Sequence, residues 1–212
     1  MSYGLKIFRE DGSLFISPEV TPMNFIGVYR FTGNMTIPTD IPATANVISF
    51  IRNDSATGAA YVIPVASNGK WNLNLNCNGV GGHIYVFANV VPIAHGVGMA
   101  VYNSNGDMVW NTDCLPLELH FVDNPWNGSG NGNGANYDVN VGLPAAVVSG
   151  MSSNYLVPLD PAAGIYIYGT LTARAYDNIV GGYSIYSEQI NGLAPTPRFK
   201  KQYIYIDTRL YS

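Results

Sequence analysis

Three observations predict that this chain is all-β, an antiparallel β-sandwich or barrel-like architecture. Apolar residues alternate with period two in segment after segment. Gly, Pro and Asn punctuate those segments at short intervals, and no stretch of ten residues carries the spacing of an amphipathic helix. At 212 residues the chain is long enough to bury roughly 70% of its unfolded surface without disulfide or metal support.

The first element is a hairpin, Leu5-Lys6-Ile7-Phe8-Arg9-Glu10-Asp11-Gly12-Ser13-Leu14-Phe15. Its pattern returns without a gap in Met99-Ala100-Val101-Tyr102-Asn103-Ser104-Asn105-Gly106-Asp107-Met108-Val109, and from Gly12 to Gly106 the offset is 94 positions. An aliphatic-aromatic pair runs in each copy into a polar turn closed by Asp-Gly or Asn-Gly. Glycine accepts there the positive φ that a tight or bulged turn demands. If the repeat is structural, both copies occupy equivalent places, with Phe8 and Tyr102 facing alike.

Between and after the hairpins, strands are expected over residues 25–31, 45–51, 59–65, 83–89 and 115–122, separated by turn chemistry such as Ser67-Asn68-Gly69. The clearest alternation runs from Lys70 to Asn78, with Trp71, Leu73, Leu75 and Cys77 on one face and Asn72, Asn74, Asn76 and Asn78 on the other. Cys77 therefore reads as a small buried hydrophobe, and pairing with Cys114 stays open.

Residues 124–136 form a Gly/Asn-rich loop, the best candidate boundary between a β-sandwich domain at 1–123 and a C-terminal β region at 137–212. That second region either completes the first domain or stands beside it. Within it, Ile165, Ile167, Leu171, Ala173 and Ala175 alternate with Tyr166, Tyr168, Thr170, Thr172, Arg174 and Tyr176. The last alternating strand, with Tyr203 and Tyr205, is expected to close this sheet or to add to a neighbour's.

Charged residues make up only 11% of the chain, against 23 Gly, 15 Tyr and 13 Pro. An ordinary domain carries roughly 25% charge, so this surface is amide- and tyrosine-rich or is covered by a partner. A net charge of −4, with Arg198, Lys200 and Lys201 as the only basic cluster, argues against nucleic acid. Absent an N-terminal basic-then-apolar stretch, the expectation is cytosolic synthesis without a signal peptide. No apolar run is long enough for a membrane helix.

The sequence offers little catalytic chemistry. Asp11, Asp54, Asp107, Asp160 and Asp177 sit where turns want them, and Glu118 and Glu188 have no carboxylate partner of the kind a glycosidase needs. His83, His95 and His120 lack metal-ligand spacing, and His120 shares a strand face with Glu118 as a solvated pair. No catalytic residue, metal ligand or cofactor site is expected. The candidate interface or adhesion residues are Trp126, as a tip-loop anchor, and Tyr166, Tyr168, Tyr176, Tyr203 and Tyr205. Aromatic rings bring large contact area at low entropic cost.

The opening Ser2-Tyr3-Gly4-Leu5-Lys6-Ile7-Phe8 with Asp11-Gly12, together with the segment Val101-Tyr102-Asn103 to Trp110, resembles a family of small tail proteins of long-tailed bacteriophages. That resemblance covers the two hairpins alone. It implies a non-enzymatic virion structural component of the tail tip or fibre region, made in the host bacterial cytoplasm. Its partners would be copies of itself and other tail proteins. The alternative is a carbohydrate-binding or adhesin module contacting a host surface glycan through Trp126, the Tyr face and the abundant Asn side chains.

Overall fold

The computed structural model describes residues 6–8, 10, 12, 14–18, 20–126, 137–192, 196, 198 and 200–211, with 14–16 described by their backbone alone. The fold is all β, built from several antiparallel sheets. In chain order the strands are β1 Ile7–Phe8, β2 Leu14–Ile16, β3 Asn24–Phe31, β4 Met35–Pro42, β5 Val47–Asn53, β6 Ala60–Ser67, β7 Lys70–Cys77 and β8 Gly82–Ala88. They continue with β9 Ala100–Tyr102, β10 Met108–Asn111, β11 His120–Asp123, β12 Tyr137–Asn140, β13 Ala145–Val148, β14 Met151–Asp160, β15 Ile165–Tyr176, β16 Ile179–Asn191 and β17 Gln202–Asp207. A short 3-10 turn, Thr208–Leu210, follows.

A six-stranded sheet, in the order β11-β17-β13-β5-β8-β3, is the centre of the molecule. It draws strands from both sides of the Gly/Asn-rich segment, and β13 pairs directly with β5 through Val147↔Ile51 and Val148↔Phe50. The expected boundary at 124–136 thus does not separate two independent sheets. The Gly/Asn segment from 127 to 136 itself lies outside the described residues, as do Asp11 and Ser2 to Leu5.

The central sheet cannot be flat. Laid flat, its six strands would put β11 and β3 roughly 24 Å apart at about 4.8 Å per step. Yet Leu117 N–H donates to the Met23 carbonyl and Phe25 N–H to the Leu115 carbonyl, beside β3, while β11 begins at His120. Residues 117 to 120 span at most about 11 Å. The sheet therefore curls until the segment leading into β11 bridges its two edges at this end, forming a partly closed barrel. The lumen holds Phe50, Phe87, Ala146, Ile206 and Tyr211. Phe87 meets Phe50 and Tyr211 edge to face, with ring centroids 5.5 and 4.8 Å apart. Tyr211 ties the seam by donating to the Pro116 carbonyl and accepting from Glu118 N–H. Away from this bridge, Phe121 on β11 and Val28 on β3 are exposed.

Two further sheets pack side by side on the outside of this barrel. One, ordered β4-β7-β6, covers β3, β8 and β5 through Ile37, Ile41, Leu73, Leu75 and Val62 against Phe31, Ile51, Ile84 and Val86. The other, ordered β12-β16-β15-β14, covers β13 and β17 through Ala173, Ala175 and Val180 against Ala145, Val147, Tyr203 and Tyr205. Because Ile51 and Val147 are cross-strand partners, the two outer sheets share one face of the central one.

Several expectations are refined by this arrangement. Leu73 and Leu75 are buried, with Trp71 and Cys77 packed beside them, as the alternation in β7 requires. Both cysteines are free thiols. Of the expected strand over 115–122, only β11 is a full strand, because Pro116 has no N–H to donate and the chain there serves as the seam. β17 does not close the tyrosine-rich sheet: it lies between β11 and β13 in the central sheet. β4 was not foreseen, since Pro38 and Pro42 argue against a strand, and it is tolerated as an edge strand.

The two hairpins fold alike. Phe8 pairs with Leu14 and Tyr102 with Met108; Ile7 pairs with Ile16 and Val101 with Trp110, and a register irregularity falls at the same step in each. Gly12 and Gly106 carry φ of +80° and +86°. Each hairpin is a two-stranded sheet of its own, and Ile7 packs into the small core formed by Val101, Val109, Trp110 and Cys114. Phe8 and Tyr102 both face outward, 58% and 53% exposed.

Candidate functional site

The candidate site lies on the sheet of β14, β15 and β16, whose two faces have opposite character. Period-two alternation turns Leu171, Ala173 and Ala175 inward, where Ala173 and Ala175 join the core against the barrel. On the same inward face Leu171 and Tyr155 enclose Trp126, which is 2% exposed. Trp126 is therefore a core residue. Its indole ring packs against Tyr155 and Leu171, and the expectation of a tip-loop anchor is corrected.

Tyr203 and Tyr205 are corrected likewise. β17 points both rings into the space between the barrel and the outer sheet, leaving them buried. His120 stacks on Tyr205 at 5.3 Å between ring centroids, and its Nε2 lies 3.9 Å from Glu118 Oε1. Burial pushes the Tyr203 phenol up to about 12.

Tyr166, Tyr168 and Tyr176 share the outward face and are half-buried. Cross-strand partners extend that face: Tyr168 lies opposite Leu156 and Glu188, and Thr170 opposite Asn154 and Tyr186. Asn154 Nδ2 donates to the Tyr168 hydroxyl at 2.7 Å, which fixes that ring.

At the inner end of this face stands Arg174, whose side chain is 2% exposed. Its Nη2 donates to both Asp138 carboxylate oxygens at 2.9 and 2.8 Å, and its Nη1 donates to the Ala56 carbonyl. The guanidinium lies 5.1 Å from the Tyr176 ring centroid and 5.0 Å from that of Tyr183. Tyr176 in turn donates to Asp138 at 3.0 Å, and burial followed by that bond raises its pKa. Gly181 makes the approach possible, because a Cβ there would stand 2.2 Å from the Tyr137 carbonyl oxygen and 2.3 Å from Asp138 Oδ1. This cluster pins the 53–58 turn to β15. In the sequence Arg174 falls in the polar row with no signal for its burial, since Asp138 lies 36 residues away.

A second feature was not foreseen. A register irregularity between Thr170 and Leu171 leaves Ile185 as an extra residue on β16, because Thr170 pairs with Tyr186 and Leu171 with Ser184. Such a bulge re-aims the side chains that follow it. Ile185 and Tyr186 line a groove of about 270 Å³ whose other wall is Asn34, Tyr61, Asn76 and Asn78. Tyr186 is 50% exposed and donates to Glu188 Oε2 at 2.5 Å, which raises the phenol pKa. Asn34 Oδ1 accepts from Cys77 N–H at 2.7 Å, orienting its amide.

Among the described residues no group of three His, Cys, Asp or Glu side chains is placed to hold a metal ion, and no helix is long and apolar enough to cross a membrane. Asp160 caps its own turn by accepting from Ala162 and Ala163 N–H, and Asp54 pairs with Arg30 at 2.6 Å. Compared with known protein families, curated proteins and solved structures, the chain returns no match.

Proposed function

We propose that the chain is a non-enzymatic structural protein of a bacteriophage virion, in the tail tip or fibre region, assembling with copies of itself and with other tail proteins. The observation that carries this reading is the paired hairpin unit and what it leaves uncovered. Phe8 and Tyr102 stand outward on hairpins of one design, and Ile93, Val97 and Met99, on the segment leading into the second hairpin, are exposed too. A chain with only 11% charged residues does not keep such side chains in water cheaply, and a fixed assembly would cover them.

The assembly would bury the hairpin unit against neighbouring subunits while the curled barrel supplies a rigid base. The test has two parts. Antibody raised against the chain should label purified tails in electron micrographs, and the isolated protein should sediment as an oligomer that Phe8→Ser/Tyr102→Ser dissociates. Unlabelled particles together with a strictly monomeric protein would end the proposal.

A further inference from the structure

We propose that the groove between β16 and the β6–β7 side of the three-stranded sheet binds a neutral pyranose sugar. The inference stands apart from the tail assignment, since it uses none of the hairpin residues. Three properties of the groove carry it.

The first is its lining. Asn34, Asn76 and Asn78 each bring an amide, and an amide offers a donor and an acceptor side by side, the pattern that neighbouring sugar hydroxyls demand. The Asn34 carbonyl oxygen is already committed to Cys77 N–H, so that residue contributes its NH₂ as a donor. Tyr61 and Tyr186 contribute aromatic surface, and Ile185 an aliphatic one, against which the C–H face of a pyranose ring packs.

The second is charge. No Lys or Arg is among the described residues that line it, and the carboxylate bonded to the Tyr186 phenol belongs to Glu188. An anionic ligand would meet no counter-charge in that lining, while the Glu188 carboxylate stands next to it on the Tyr186 phenol. A neutral ligand rich in hydroxyls needs no counter-charge and pairs with the amides instead.

The third is construction. The groove spans about 270 Å³, just under the range of drug-sized sites and suited to one ring or the end of a chain. One wall exists only because the β16 bulge interrupts the alternation at Ile185 and presents Tyr186 to the opposite sheet. Tyr186, Tyr61 and Asn76 belong to paired strands, and Ile185 is the bulged residue between two such pairs. Asn34 and Asn78 sit in the adjoining turns, where Asn34 is held by Cys77 N–H and Asn78 N–H donates to the Ala59 carbonyl, so the site is largely preformed.

The experiment is saturation-transfer-difference NMR on the full chain with methyl glycosides of glucose, galactose and mannose, with N-acetylglucosamine, and with glucuronate as the charged control. The expected result is transfer to the ring protons of at least one neutral sugar and none to glucuronate. Tyr186→Ala, at an exposed position, should weaken that binding by about tenfold or more, and Asn78→Ala should weaken it as well. Each variant is first shown to melt with the parent chain. Silence from every neutral sugar overturns the proposal, as does undiminished transfer in both variants. Glucuronate binding as well as the neutral sugars overturns the assignment of charge. None of these outcomes bears on virion labelling, so the two proposals fail separately.

Discussion

Asp138→Ala leaves the Arg174 guanidinium, 2% exposed, facing the Ala56 carbonyl and two tyrosine rings with no carboxylate. Removing one partner of a buried ion pair costs about 3–5 kcal/mol, because the remaining charge stays out of water uncompensated. Asp138 itself is 29% exposed, so water can enter where the carboxylate stood, and the lower end, ~3 kcal/mol, is expected. For a chain of this size each kcal/mol moves Tm by about 2–4 °C, which predicts a fall of about 6–12 °C. The assay is thermal denaturation followed by circular dichroism at neutral pH, with urea midpoints as a second measure. The double variant Asp138→Ala/Arg174→Met removes both charges and keeps an apolar chain in the slot, and it should recover more than half of the loss. If Asp138→Ala melts within about 2 °C of the parent, or the double variant melts no higher than the single, Arg174 is not held as a buried, paired charge.

Two other consequences follow from side chains that proved to be interior. Tyr203 in the folded chain titrates at about 12 against an ordinary value near 10, so its contribution to stability is complete below about pH 10 and is lost as pH rises through the folded value. Urea midpoints measured between pH 9 and 12 should fall, with Tyr203→Phe flattening part of that decline; an unchanged slope would contradict the burial. Trp126→Ala should cost about 3–5 kcal/mol of stability by opening a cavity against Tyr155 and Leu171, and a variant of unaltered stability would return Trp126 to the surface.

Alternation within one strand was legible, whereas alternation across strands was not. β15 runs over Ile165–Tyr176 with the aliphatic and tyrosine faces that its period gives, and β7 has the apolar face expected of it. Period says which residues share a face but not what the face meets. Tyr203 and Tyr205 show this: their alternation predicts a strand, while their burial depends on pairing between β17 and β13, across more than 50 residues. β16 escaped for a different reason. Its Gly181-Gly182 pair and its bulge at Ile185 interrupt the alternation, and those same irregularities admit Asp138 beside Arg174 and turn Tyr186 into the groove. The residues on which the proposed sugar site most depends are therefore those where the strand signal is weakest. The hairpin repeat was readable because its information is local: a turn, a glycine with positive φ and two flanking pairs specify it completely.

The pairing of β5 with β13 also sets a timetable for synthesis. Ile51 waits for Val147, 96 positions downstream, before its edge of the central sheet is covered. At about 5–20 residues per second, a ribosome needs roughly 5–20 s to supply that partner. Once β8 has been made, β5, β8 and β3 can pair and the three-stranded sheet can close over them, but until Val147 arrives the lumen around Phe50 and Phe87 stays open and one strand edge stays unsatisfied. The nascent chain is at its stickiest just when its first half has become ordered, so yield should depend on translation speed and on holding chaperones more than on final stability.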